Sequence, residues 1–338
     1  LTQSDGSSAL ADAAYSDCTV TFTDSAGNAA SALTLTAFTV DTTVAAATET
    51  TAVTTPTADN TPDVVINVAE AGTIAVGGTS GCGLSSTSDM SSGANTVTLT
   101  MSGGDVAYTC TITFTDDAGN AASALTLTAF TLDTTAAAAT EGTAVSTPDN
   151  DNTPDVVINV AEAGTVAVGG SCGTSTAAAV SSGDNTLTLT QSDGSSALAD
   201  DTYDDCTVTF TDDLGNAASA LTLTAFVVDT TVAAATEGTA VSTPGKDTTP
   251  DVIISVTEAG TVAVGGSCGT SSSTSVSSGS NTLTLTDTDG SSALGEATYD
   301  DCTVTFTDSA GNAAAALTLS EFVIDTTVAA ATETTAVT

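Results

Sequence analysis

The sequence predicts an all-β chain of tandem small sandwiches, and three observations lead there. Apolar residues alternate with threonine at period two over short runs. Gly, Pro, Asn and Asp interrupt those runs about every ten residues. The whole pattern then recurs, with Cys18, Cys110, Cys206 and Cys302 spaced by 92, 96 and 96 residues and Asp41, Asp133, Asp229 and Asp325 keeping the same three spacings. A unit of roughly 95 residues suits a sandwich module of about 100 and is too long for ankyrin, tetratricopeptide or leucine-rich repeats. No 3.6-residue apolar periodicity is present, and alanine runs such as Ala233-Ala234-Ala235 are too short for stable helices.

Residues 1–44 read as the C-terminal half of a module, 45–136, 137–232 and 233–328 as complete modules, and 329–338 as the first strand of a further one. In the third complete module a short first strand runs from Thr236 to Val241, and a turn with Pro244 and Pro250 ends it. Val252, Ile254 and Val256 then place one apolar face on the second strand. Glu258-Ala259-Gly260 turns the chain into Thr261–Val264, and Asn281–Thr286 alternates again after a Ser/Thr-rich loop. An acidic loop, Asp287 to Asp301, leads to the hairpin that dominates every repeat. Cys302, Val304 and Phe306 share one face of its first strand, and the turn Asp308-Ser309-Ala310-Gly311-Asn312 follows. On the return strand Leu317 and Leu319 share a face while Phe322 and Ile324 fall on the opposite parity. That change of phase predicts a β-bulge near Ala37, Ala129, Ala225 and Ser320. Six or seven strands in this arrangement indicate an immunoglobulin-like sandwich.

The charge balance restricts function. Forty-one acids stand against one base, Lys246, with no histidine, for a formal net charge of −40. Nothing in the chain neutralises phosphates, which excludes nucleic acid and anionic membrane surfaces as partners. No apolar run is long enough to insert in a membrane, and neither end carries a signal peptide. Surplus carboxylate implies a cation-rich setting, either screening salt or calcium. The lack of histidine and the repetition of every acid argue against an enzyme. No Asn-x-Ser/Thr sequon occurs. The twelve aromatics occupy three repeat positions, one Tyr and two Phe per copy, which default to core and to a tyrosine corner.

The motifs Thr-Asp-x-x-Gly-Asn, Val-Asp-Thr-Thr and Glu-Ala-Gly-Thr, recurring through essentially the whole chain, resemble the bacterial Ig-like repeats of giant secreted adhesins, including the RTX type. The resemblance implies a linear rod of sandwiches on a cell surface, commonly stiffened by calcium between modules. The chain departs from that family where Val44, Ala136, Val232 and Val328 follow Asp-Thr-Thr in place of a proline.

Two sets of candidate sites follow. Seven cysteines at fixed repeat positions read as disulfides formed outside the cytosol. In an Ig-like sandwich the third strand lies antiparallel to the sixth, so Cys268 reaches Cys302, Cys172 reaches Cys206 and Cys82 reaches Cys110, with the partner of Cys18 outside the segment. The acids form the second set. The Asp-Thr-Thr end of one module meets the next module's second–third and sixth–seventh strand turns. That brings Asp41 near Glu70, Asp116 and Asn120, Asp133 near Glu162, Asp212 and Asn216, and Asp229 near Glu258, Asp308 and Asn312. Asp59, Asn60, Asp151 and Asn152 approach from the other side. Oxygen ligands from two modules suit calcium. The competing expectation is that Asp in Asp-x-x-Gly-Asn only caps its own turn, with Gly-Asn supplying left-handed residues. No EF-hand loop or RTX nonapeptide is present.

These features together predict an extracellular, non-catalytic repeat segment of a surface adhesin stalk or filament. Its partners are neighbouring copies of the same repeat, with any host or surface glycan bound at a distal tip outside this segment. The alternative is a carbohydrate- or other ligand-binding Ig-like module, or an ice-binding one built on the outward threonines, although the phase change argues against a flat threonine grid.

Overall fold

A computed structural model describes residues 1–332 and 334. Every regular element among them is a β-strand. The chain divides into two compact units, one of Leu1–Ala136 with Thr211–Ala217, the other of Ala137–Phe210 with the chain from Ala218 onward. Of the strand expected over 329–338, the described residues 329–332 and 334 form none, and 333 and 335–338 lie outside the described set.

In the second unit the strands between 233 and 328 build one sandwich. Its first sheet has the order Thr236–Thr239, Asp251–Val256, Gly279–Thr286, Gly269–Thr270. Its second has the order Ser275–Val276, Gly260–Gly265, Thr303–Asp308, Leu317–Thr318. The period-two pattern dictates which side chains meet between them. Val252, Ile254, Leu283 and Leu285 from one sheet and Val262, Val304 and Phe306 from the other are all buried. Each such side chain contributes roughly 1.5–3 kcal/mol on leaving water. The strands between 137 and 232 repeat this order, from Thr140–Thr143, Asp155–Val160, Gly183–Gln191 and Cys172–Thr174 in one sheet to Ala179–Val180, Gly164–Gly169, Thr207–Asp212 and Leu221–Thr222 in the other. In the first unit residues 45–136 do the same. The third and sixth strands pair antiparallel as expected, with Val262 opposite Phe306 and Val264 opposite Val304.

Gly260, from Glu-Ala-Gly-Thr, is set by close approach. A Cβ there would lie 2.2 Å from the Thr307 carbonyl oxygen and 2.8 Å from the Phe306 ring, and Gly72 stands in the same relation to Thr115 and Phe114. The glycine lets the third strand start directly against its partner.

The expected bulge needs correction in three of the four repeats. Tyr299 pairs with Phe322 and Thr303 with Thr318 in one constant register, and the repeats at Tyr15–Phe38 and Tyr203–Phe226 behave alike. No residue is inserted near Ala37, Ala225 or Ser320. Instead both strands leave the ladder at the same level, because Tyr-x-x-Cys on one matches Leu-x-x-Phe on the other and both change parity together. The second repeat is the exception. There Tyr108 stands only two residues before Cys110, and the register shifts by one between Ala107–Tyr108/Phe130–Thr131 and Thr111–Ile112/Leu125–Thr126, so the bulge near Ala129 is present.

Each tyrosine forms the expected corner. The Tyr299 hydroxyl donates to the Gly295 carbonyl at 3.1 Å and the ring stacks on Phe322 with centroids 5.1 Å apart. Tyr108 and Tyr203 repeat both contacts.

Residues 1–44 contain only the hairpin half of this plan. Val20, Phe22 and Leu33 are 49%, 71% and 65% exposed, whereas Phe114, Phe210 and Phe306 at the position of Phe22 are 0% exposed. The difference measures what the facing sheet covers in a complete module.

Candidate metal centres at the module junctions

The three disulfides are Cys82–Cys110, Cys172–Cys206 and Cys268–Cys302, and Cys18 is free. Each ties the turn after the third strand to the start of the sixth, and because Cys82 and Cys172 also open the short edge strand of the first sheet, opposite Met101 and Gln191, the bridge links one sheet to the other. The register explains the reach, since Gly265 lies opposite Thr303 and Cys268 and Cys302 follow just beyond the paired run, their Cα atoms 5.3 Å apart.

The acids converge as their topology predicts. Within the first unit Asp41, Glu70 and Asp116 each place a carboxylate oxygen within 4.8 Å of the others, and within the second Asp229, Glu258 and Asp308 do so. Each group has two half-buried carboxylates and one buried one. Three local structures deliver them. The aspartate of Asp-Thr-Thr arrives at the end of a module's last strand, the glutamate sits in the second–third strand turn, and the buried aspartate opens the sixth–seventh strand turn.

That last turn is built as a cap. Asp116 Oδ1 accepts from the Asn120 backbone N–H at 2.8 Å and Oδ2 from Asn120 Nδ2 at 2.8 Å. Gly119 adopts φ +96° and Gly311 φ +98°, so the left-handed residue is the glycine; no asparagine takes positive φ among the described residues. Asp24 and Asn28 make the same bonds in residues 1–44, so the cap forms by itself. Where another module precedes it, the asparagine does more. Asn120 Nδ2 also donates to the Asp41 carbonyl at 3.0 Å, and Asn312 Nδ2 to the Asp229 carbonyl at 2.7 Å. Asp133, Asp212 and Asn216 lie in the first unit, with the same Asn216 bond to the Asp133 carbonyl at 3.0 Å. Glu162 belongs to the second unit, where its Oε1 accepts from Ala137 N–H at 3.4 Å.

The electrostatics differ among the three acids. Burial opposes ionisation of Asp116, but hydrogen bonds from Asn120, Gly119 and Ala118 outweigh it and hold the carboxyl below its usual range. Glu258 goes the other way, raised by burial and then by the charges of Asp229 and Asp308. An acid cluster in which one member resists ionisation gains from a cation. The donors are carboxylate oxygens with no thiol or imidazole, which suits a hard ion such as calcium over zinc. Asp116 Oδ2, which accepts from Asn120 Nδ2, retains acceptor capacity for a metal. The residues therefore fit calcium, with carbonyls and water completing six to eight ligands.

Two recurring sets of acids were not anticipated from the sequence. The first holds each Asp-Thr-Thr exit from within its own module. Asp12 Oδ1 accepts from Thr42 N–H at 3.1 Å and Thr42 Oγ1 at 2.7 Å, and Oδ2 from Thr43 Oγ1 at 3.1 Å. Asp105 and Asp200 clamp their own Thr-Thr pairs alike, whereas Glu296 holds Thr326 and leaves Thr327 to Asp325. The signal was available, because Asp12, Asp105, Asp200 and Glu296 each stand three residues before a tyrosine. The second set joins the two sheets. Glu237 Oε2 accepts from Ser320 N–H at 3.0 Å and Ser320 Oγ at 2.7 Å, where the return strand has left the ladder. Glu49 on Thr128 and Glu141 on Thr224 are equivalent, and these glutamates follow the spacings of the cysteines.

No helix among the described residues is long and apolar enough to cross a membrane. No family model matches the chain, and no curated protein does. Among solved structures it is similar to the chicken CNTN1 FN1-FN3 domains, with 10% identity over 81% of this chain and 97% of that one and a TM-score of 0.26. It is also similar to Streptomyces avermitilis alpha-L-rhamnosidase complexed with L-rhamnose, at 12% identity over 82% and 40% with a TM-score of 0.19. A third likeness is to E. coli alpha-2-macroglobulin, at 10% identity over 86% and 24% with a TM-score of 0.17. At these scores the likenesses carry no functional argument, and the tandem disulfide-bonded β-sandwich rests on the chain's own sheets and bridges.

Proposed function

We propose that the chain is a non-catalytic structural segment of an extracellular fibre or cell-surface adhesin stalk, in which calcium at the module junctions fixes one sandwich to the next. The observation that carries this reading is the repetition of the junction. The same Asp-Glu-Asp set, with the same asparagine bonded to the preceding aspartate's carbonyl, occurs inside each unit. A catalytic centre has no reason to recur wherever two modules meet, whereas a mechanical joint must. The three disulfides suit an oxidising compartment. A carbohydrate platform would need exposed aromatic rings, and in the complete modules every Tyr and Phe is buried.

Electron micrographs of the chain in calcium and after chelation test this. Calcium is expected to give straight particles of constant contour length, and chelation to give bent ones with a lower melting temperature. Equal bending and equal melting in both conditions overturn the calcium joint. Compact, globular particles in both overturn the stalk.

A further inference from the structure

One face of each sandwich stands apart from the rest of this acidic chain. On the second sheet the outward positions of the third strand are Thr261, Ala263 and Gly265, and those of the sixth are Thr303, Thr305 and Thr307. The same positions hold Thr, Ala, Gly and Thr, Thr, Thr at 73, 75, 77 and 111, 113, 115, and again at 165, 167, 169 and 207, 209, 211. No carboxylate occurs among them; Asp89 lies opposite Thr73 at the rim of the first copy, and Asp205 and Asp301, just before the sixth strand, are bonded to the N–H groups of Ser171 and Ser267. The outer face of the other sheet is different. There Asp63, Asp155 and Asp251 occupy the second strand, each bonded to a threonine on its neighbour.

We propose that this neutral threonine face is where two copies of the chain associate side by side. The inference rests on the fibre reading and names the surface that such a fibre uses. Two arguments select a second copy as the occupant. A threonine hydroxyl both donates and accepts, so a face of threonines complements itself without a partner of opposite charge. A chain of net charge −40 also repels its own copies everywhere except through a surface that carries no charge. Size sets a further condition. Two strands of six residues flanked by two of two residues, at roughly 3.3 Å per residue and 4.8 Å between strands, offer on the order of 250 Å² per module. A stable pair buries about 800 Å² per partner. One module's face is insufficient, so association requires several repeats acting together and strengthens with their number.

The test is sedimentation velocity of the Cys18→Ser chain in chelator, at low salt and at 1 M NaCl, where the Debye length is about 3 Å and intermolecular repulsion is screened. Association is expected to appear with salt. Thr113→Asp, Thr209→Asp and Thr305→Asp together should weaken it at least tenfold, while Thr96→Asp, Thr186→Asp and Thr282→Asp on the other sheet should leave it in place. The corresponding triple Thr→Lys chain, mixed with the triple Asp chain at low salt, should restore pairing, which shows that both variants are folded and that the faces meet. A monomer at every salt and concentration overturns the proposal. So does association that the first triple leaves intact, as contact through Val20, Phe22 and Leu33 would, or that both Asp triples abolish equally. Monomers that still form calcium-stiffened rods in micrographs would remove this inference and leave the stalk reading standing.

Discussion

Replacing Glu258 with glutamine removes one of three carboxylates whose oxygens lie within 4.8 Å of one another, at nearly constant shape. Two unit charges at that distance repel by roughly 1 kcal/mol in bulk water and about 3 kcal/mol at an effective dielectric of 20. Glu258 is half-buried and relaxes, so the lower figure is the better guide, and it faces two neighbours. Without metal, E258Q is expected to be more stable than the native chain by about 1–2 kcal/mol. For a module of this size each kcal/mol moves the melting temperature by about 4–8 °C. In calcium the order reverses, because the native cluster gains a cation and the variant has lost a ligand. Acid supplies an independent arm. The folded-state pKa of Glu258 is raised, so the protonated form is favoured in the fold, and its destabilising charge disappears as pH falls through that raised value. The gap between metal-free native and variant chains should therefore close on acidification from neutral pH. Calorimetry at low salt, with chelator and with calcium, reads all three outcomes. A variant less stable than the native chain in chelator, or one with an undiminished response to calcium, would refute the reasoning.

Three further outcomes are expected. Cys268→Ser with Cys302→Ser opens a loop with a sequence separation of 34, and should cost that module about 4 kcal/mol on the chain-entropy relation; an unchanged urea midpoint would show the bridge to be idle. Gly260→Ala puts a Cβ 2.2 Å from the Thr307 carbonyl oxygen and should destabilise by about 1–3 kcal/mol, against which a neutral or stabilising result in thermal melts would count. Asp193 and Asp289, lowered to about 2 first by the side-chain hydroxyls of Ser196 and Ser292 and then by backbone N–H groups, favour the fold while ionised. Their contribution is present above the ordinary aspartate range and is lost as pH falls toward about 2, so D193N and D289N should flatten the acid limb of the stability–pH curve.

The parts of this fold legible in the sequence were those governed by alternation. Val252, Ile254 and Val256 announce a strand with one buried face because a period of two permits nothing else, and the cysteine spacing carried the ladder register that joins Cys268 to Cys302. Short edge strands were not legible. Gly269–Thr270, Ser275–Val276 and Ala297–Tyr299 fall in stretches with loop composition, since two or three polar or small residues become strand only when a neighbouring strand offers its free backbone groups. The phase change in the return strand was visible, but its cause was not. Counting Leu319-x-x-Phe322 alone implies an inserted residue; counting Tyr299-x-x-Cys302 beside it shows the insertion matched across the ladder. Only Tyr108-x-Cys110 leaves the second repeat unmatched, and there the bulge forms.

The junction acids were placed from topology, but the asparagine's second bond came from the structure, and it alters what the junction needs from a cation. Asp41 is fastened through its carbonyl by Asn120, and Thr42 and Thr43 are clamped by Asp12 of their own module. The linker therefore has fixed neighbours on both sides without a proline after Asp-Thr-Thr. What these neutral contacts leave unsolved is charge, with three carboxylates crowded at one point and no lysine or arginine near. Lys246, the single base, lies in the loop that follows Pro244, where the neighbouring Gly245 carbonyl accepts from the N–H of Asp325, an aspartate outside the three clusters. A cation at the cluster would thus act on repulsion rather than on position. The hydrogen bonds set where the modules meet, and a bound ion would set how firmly they stay there.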